Sequence, residues 1–185
     1  MNLFNWVCLI WISSEILINS FLRSNNSDKQ SADKNSWLII WCQIIASNII
    51  SVYLSANTDF LIVNSKWISV IGLVLMLFGI GFRLLAIKQL GRFFTVKVTI
   101  REDHQLMQSG LYKYMRHPSY TGSLITFFSF GLALNNWPSL AIVFFPTVYT
   151  MLYRIRVEEK VLMEQFGGKY ITYSNKTKRL IPFIY

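Results

Sequence analysis

Long apolar runs leave this chain few folds to choose from. The longest covers residues 67–90, and others cover roughly 3–22, 37–56, 119–134 and 138–153. A run of about 20 apolar residues is what a helix needs to cross the hydrocarbon of a bilayer. Inside that layer every backbone amide must be satisfied within its own segment, so helices are the natural solution. The spacing therefore predicts an all-α integral membrane protein with about five transmembrane helices. The last two runs are short for full spans and need flanking helix or a locally thinned bilayer. The first run lacks a basic flank and a small-residue cleavage site, so it reads as a retained helix and not as a signal peptide.

Composition agrees. Apolar residues make up 53% of the 185 and charged residues only 15%, against about a quarter in soluble domains; mean hydropathy is +0.39. The net charge of +9 would point to nucleic acid in a soluble protein. Here the basic residues flank apolar runs, which fits anionic lipid headgroups. Cys8 and Cys42 lie inside apolar runs and read as small hydrophobes. With two histidines and no HExxH or CxxC, no protein-held metal is expected.

Orientation follows from the cations. Sixteen of the 18 Lys and Arg fall in residues 23–36, 88–118 and the tail from Arg154. Five spans place those three segments on one side, so the N-terminus is expected outside and an amphipathic C-terminal helix and tail in the cytoplasm. Trp37, Trp67 and Trp137 stand at span starts, where amphipathic rings settle. Residues 1–87 read as an N-terminal region of three helices, and 88–185 as a catalytic region. Gly72, Gly79 and Gly81 read as small residues for close helix packing.

Runs four and five are joined by about four residues, Asn135-Asn136-Trp137-Pro138, which forces an adjacent antiparallel hairpin. Its open ends carry Arg116-His117-Pro118-Ser119-Tyr120 and Arg154…Glu158-Glu159. Ionisable groups at a membrane boundary are costly unless paired or used, and the hairpin makes the two clusters one candidate site. Pro118 restricts His117 to extended backbone and opens the helix as its first-turn proline, so the helix-start amides can take an anion. Glu15 and Arg83 are intramembrane charges; Arg83 either snorkels to the interface or contacts substrate in a polar cavity. Read without further knowledge, each cluster could also be an interfacial anchor or an ordinary i,i+4 ion pair.

The run His104-Gln105-Leu106-Met107, Gly110, Tyr112, Arg116-His117-Pro118-Ser119-Tyr120 and Gly122 resembles the signature of isoprenylcysteine carboxyl methyltransferases. The stretch Arg154, Glu158-Glu159, Leu162, Phe166-Gly167, Tyr170, Tyr173 and Ile181-Pro182 resembles that family's C-terminal motif, and Leu90-Gly91-Arg92-Phe93-Phe94 is similar to the stretch upstream. The resemblance covers about residues 88–185. Met107 stands where the family usually has Val.

That resemblance implies S-adenosylmethionine-dependent methyl transfer at the cytoplasmic membrane face, onto the carboxylate of a prenylated cysteine or similar isoprenoid acceptor. It implies a cofactor site of His104, Gln105, Leu106, Met107, Tyr112, His117, Pro118, Ser119, Tyr120, Glu158 and Glu159. Arg154 would bind the acceptor carboxylate, with Arg83 a further substrate contact, and Arg154, Glu159 and Arg116 would form the reactive centre. The host membrane would be the inner membrane of a prokaryote or the endoplasmic reticulum of a eukaryote. Three other readings remain open at this point: a phospholipid amine N-methyltransferase, which would need a base such as His104 or His117; an NADPH-dependent membrane reductase; and a non-enzymatic scaffold.

Overall fold

A computed structural model describes residues 2–21, 36–95, 105–182 and 184–185. Among these residues six helices follow one another: α1 (Leu3–Phe21), α2 (Ser36–Asn57), α3 (Trp67–Leu90), α4 (Pro118–Ala133), α5 (Trp137–Phe166) and α6 (Gly168–Lys176), with 3₁₀ turns at Gly91–Phe93 and Gly110–Lys113. Among the described residues, four helices are long and apolar enough to cross a membrane: α1, α2, α3 and α5. The chain is an all-α, multi-pass membrane protein.

The expected fourth run is α4, at 16 residues shorter than α1, α2, α3 and α5. It is packed against α3 along its length and against α5 on another face. Glycines permit the α3–α4 approach. A Cβ on Gly72 would lie 2.5 Å from the Ala133 amide nitrogen, and one on Gly79 would lie 2.6 Å from Thr126 Oγ1. From the other side, Gly122 rests on the backbone of Arg83. Gly81 meets nothing within 4 Å, so two of the three α3 glycines serve the packing and the third does not.

The expected fifth run, 138–153, continues unbroken through the charged residues to Phe166, giving one helix of 30 residues. At 1.5 Å per residue it is about 45 Å long, more than hydrocarbon thickness requires. Its last turns therefore carry Arg154, Glu158 and Glu159 as rigid helix and not as tail. Gly167, at φ 51°, ends it, because that left-handed backbone suits glycine.

The turn between α4 and α5 is clamped from outside the hairpin. Asn135 Nδ2 donates to the Val63 carbonyl (2.9 Å) while its Oδ1 accepts from Val63 N (3.1 Å). Asn136 caps α5 by accepting from Ser139 N at 3.0 Å and donates to Thr58 Oγ1 at 2.9 Å. Trp67 and Trp137 stand exposed at this end, as the sequence predicts; the side chain of Trp37 lies outside the described residues. Farther along, Ser51 and Ser139 exchange hydroxyl-to-carbonyl bonds of 3.0 and 2.7 Å, joining α2 to α5. The apolar core beneath the site is Val7, Leu73, Met76, Phe127, Phe130, Val143 and Met151, with Trp11 packed on it.

Candidate active site

At the basic end, residues 105–117 lead into the start of α4. The Leu111 amide donates to Gln89 Oε1 at 2.8 Å, and the Tyr112 hydroxyl to the Ala86 carbonyl at 3.3 Å, so the segment is fixed to α3. It is fixed on the other side by the C-terminal tail. Arg116 N donates to the Lys178 carbonyl (2.8 Å), His117 N to that of Arg179 (3.0 Å), and the Tyr173 hydroxyl to that of Tyr112 (2.7 Å). Pro118 opens α4 and His117 precedes it in non-helical backbone, φ −126°. The amides of Tyr120 and Thr121 are taken by the His117 carbonyl, so fewer helix-start amides remain for an anion than the sequence suggests.

The hairpin brings the two ionisable clusters together. Arg154 Nε donates to the Tyr120 hydroxyl oxygen at 2.9 Å, and that hydroxyl donates to Glu158 Oε2, also at 2.9 Å. Tyr120 thus stands between two residues that share one face of α5. His117 is enclosed, 3% exposed, between both carboxylates. Its Nδ1 lies 3.9 Å from Glu158 Oε1, and its Nε2 lies 3.4 Å from Glu159 Oε1, within ion-pair reach but without hydrogen-bond alignment.

Glu159 has a different position from its neighbour. It is buried, and Arg116 Nε donates to one oxygen (2.8 Å) while Arg179 Nε and Nη2 donate to the other (2.9 and 2.8 Å). Arg116 is tied further to the Ser174 and Thr177 carbonyls. Two guanidiniums on one carboxylate satisfy its lone pairs and compensate its burial. The Glu159 bond also raises the Arg179 guanidinium above its ordinary value. Burial pushes the Tyr112 and Tyr170 hydroxyls well up, and that of Tyr173 up to about 12.

A cavity of about 200 Å³ opens among these elements. Of the residues the sequence singles out, Arg83, Gln105, Leu106, Met107, Tyr112, Arg116, His117, Ser119, Tyr120, Arg154 and Glu158 all line it. Pro118 and Glu159 do not stand among its lining residues; Glu159 is turned to Arg116 and Arg179 instead. His104 lies outside the described residues. Sequence reasoning missed Arg179 as the second cation on Glu159. It also left without a role Phe93, Tyr170 and Tyr173, which line the cavity although the motif-like stretches contain them.

The same cavity continues between the transmembrane helices. Trp11, Glu15, Ile18 and Asn19 of α1, and Ile40, Trp41 and Ile44 of α2, form walls there. α1 leans on α3 and α2 on α5, so the space lies between the two pairs. Arg83 does not snorkel alone. Its Nη2 lies 3.1 Å from Glu15 Oε2, and its Nη1 donates to Ser123 Oγ. The two intramembrane charges neutralise each other across α1 and α3.

Known proteins give this geometry a context. Over 122 residues the chain is 39% identical to the protein-S-isoprenylcysteine O-methyltransferase of Saccharomyces cerevisiae, covering 65% of this chain and 51% of that protein. It is 38% identical over 121 residues to protein-S-isoprenylcysteine O-methyltransferase B of Arabidopsis thaliana, covering 64% and 61%. The chain thus spans between half and two thirds of the length of these relatives. The solved structure of a eukaryotic intramembrane Ras methyltransferase, an isoprenylcysteine carboxyl methyltransferase, superposes with a TM-score of 0.69 at 24% identity, covering 98% of this chain and 65% of that one; the fold is shared. The family model for isoprenylcysteine carboxyl methyltransferases matches residues 70–164, from α3 through the Glu158-Glu159 pair, and on that match the chain belongs to this family.

Proposed function

We propose that this protein is an S-adenosylmethionine-dependent methyltransferase that esterifies the carboxylate of a prenylated cysteine or a closely similar isoprenoid acid. The observation that carries the reading is the Arg154–Tyr120–Glu158 relay at the rim of a cavity that continues between the transmembrane helices. An amphiphile with a carboxylate head and an isoprenoid tail matches both halves.

The residues present fit the methyl donor. A sulfonium cation with an amino-acid end and an adenine calls for an anion, aromatic faces and hydrogen-bonding groups. The cavity offers Glu158, the rings of Tyr112, Tyr120 and Phe93, and the polar side chains of Gln105, His117 and Ser119. When bound, S-adenosylmethionine supplies an electrophilic methyl group. Glu158 would face its cationic part, with Tyr120 fixing the carboxylate's orientation. Arg154 would hold the acceptor carboxylate, an arginine being suited to bidentate pairing. That carboxylate is ionised at neutral pH and needs no general base, so the protein's task is alignment, which can supply ~7–11 kcal/mol. Glu159 and Arg179, which do not line the cavity, hold the lining residue Arg116 in place.

By the distribution of Lys and Arg, the basic end faces the cytoplasm and the N-terminus lies outside. The donor would enter from the aqueous side and the acceptor from the bilayer, between the α1–α3 and α2–α5 pairs. The test is transfer of radiolabelled methyl from S-adenosylmethionine to a panel of farnesylcysteine derivatives, phosphatidylethanolamine and short prenols. Base-labile label on the farnesylcysteine acceptors is expected. Stable N-methyl label, or none on any acceptor with folded protein, would overturn the reading.

A further inference from the structure

The cavity is layered, and its layers can be counted along α4. At the polar rim stand Ser119 and Tyr120, the latter with Arg154 and Glu158. One turn deeper, Ser123 holds the Arg83–Glu15 pair. A further turn down is Phe127, and the Trp11 indole meets its ring edge-on, centroids 5.1 Å apart at 83°, while lying 5.6 Å from Phe130. From Ser119 to Phe127 the helical rise gives a depth of about 12 Å. The lining residue farthest from the rim is Trp11 on α1, Ile44 on α2, Arg83 on α3, Phe127 on α4 and Met151 on α5. Below them the core of Leu73, Met76, Phe130 and Val143 is filled.

We infer that Trp11 is the floor of the acceptor site and sets the length of isoprenoid chain that the enzyme takes, an inference that rests on the function proposed above. Three observations carry it. Trp11 closes the cavity against a packed core, so a longer chain has no empty space to enter below it. The middle layer presents no lone charge to act as the stop, because Glu15 and Arg83 are paired there at 3.1 Å. The walls that a chain would touch on α1 and α2 (Trp11, Ile18, Ile40, Trp41 and Ile44) lie outside residues 70–164, the stretch that matches the family. Chain-length selectivity is thus written in the half of the molecule that carries no family signature.

The experiment compares N-acetyl-S-geranylcysteine, N-acetyl-S-farnesylcysteine and N-acetyl-S-geranylgeranylcysteine on the full-length protein in detergent or nanodiscs. Equilibrium binding is measured without methyl donor, and kcat/KM with it. In Trp11→Ala the ratio of geranylgeranyl to farnesyl acceptor should rise by about tenfold, in line with what one change of hydrocarbon size in a pocket does. Trp11→Phe should rise less. Ile44→Ala, on α2 and packed on the same core cluster as Trp11, should shift the ratio in the same direction, and it decides the matter if Trp11→Ala does not fold. Leu17→Ala, exposed on α1, should leave the ratio unchanged. An unchanged ratio in folded Trp11→Ala, or in Ile44→Ala where that variant decides, would overturn the floor, as would a wild-type profile flat with chain length. Binding of none of the three acceptors by wild type would instead count against the proposed function.

Discussion

Tyr120→Phe isolates the hydroxyl that joins the two halves of the candidate site. The ring stays, so packing against His117, with centroids 5.6 Å apart, is kept. Two hydrogen bonds of 2.9 Å are lost, one from Arg154 and one to Glu158. Bonds to charged groups contribute ~1.5–3 kcal/mol each. Both partners line an open cavity and recover part of that from water, so the net loss of positioning is about 2 kcal/mol. At 1.4 kcal/mol per factor of ten, kcat/KM for the farnesylcysteine acceptor should fall roughly 30-fold, while Arg154→Ala should abolish turnover. Initial rates of base-labile methyl incorporation, with the melting temperature of each variant as the folding control, give the answer. A kcat/KM within twofold of wild type in folded Tyr120→Phe would refute the relay as a positioning device.

Gly72→Ala should destabilise the bundle by ~1–3 kcal/mol through overpacking, because its Cβ would meet the Ala133 backbone; Gly81→Ala should leave the melting temperature unchanged. Removing Arg179 with Arg179→Ala should cost ~2 kcal/mol of charged hydrogen bonding to Glu159 and loosen the tail, so trypsin should cut after Lys176 and Lys178 faster than in wild type. Equal cleavage rates would contradict the brace. Tyr173 has its hydroxyl raised from 10 to about 12 by burial, so the folded state favours the neutral phenol. That contribution is fully present below pH 10 and lost as pH rises towards 12; unfolding titrations of wild type and Tyr173→Phe should converge across this window.

Much of this architecture is legible in the residues, because hydrocarbon enforces a simple rule on apolar runs. The α4–α5 hairpin could be read from Asn135-Asn136 and Pro138, and with it the meeting of Arg116–Tyr120 with Arg154–Glu159. The end of α5 could not be read from hydropathy, which changes at Arg154, whereas the helix stops only at Gly167; charge alone does not break a helix. Long-range pairings left little trace. Glu15 and Arg83 are 68 residues apart, and nothing local marks them as partners. Arg179 reaches Glu159 because residues 178–179 pair with the backbone near Arg116, an interaction with no side-chain pattern to announce it. Glu158 and Glu159 look alike in sequence; helix geometry turns one to the cavity and the other to Arg116 and Arg179. The intramembrane part of the cavity leaves no mark for another reason: its walls on α1 and α2 look largely like any lipid-facing span.

Methyl transfer as proposed needs the two polar segments of the hairpin to form one donor-binding centre. Ultraviolet cross-linking of radiolabelled S-adenosylmethionine, followed by peptide mapping, tests this directly. Label should fall in residues 105–120 and in 154–162, and excess S-adenosylhomocysteine should suppress both together. Label in neither segment, or in one segment unaffected by the competitor, would contradict the shared site.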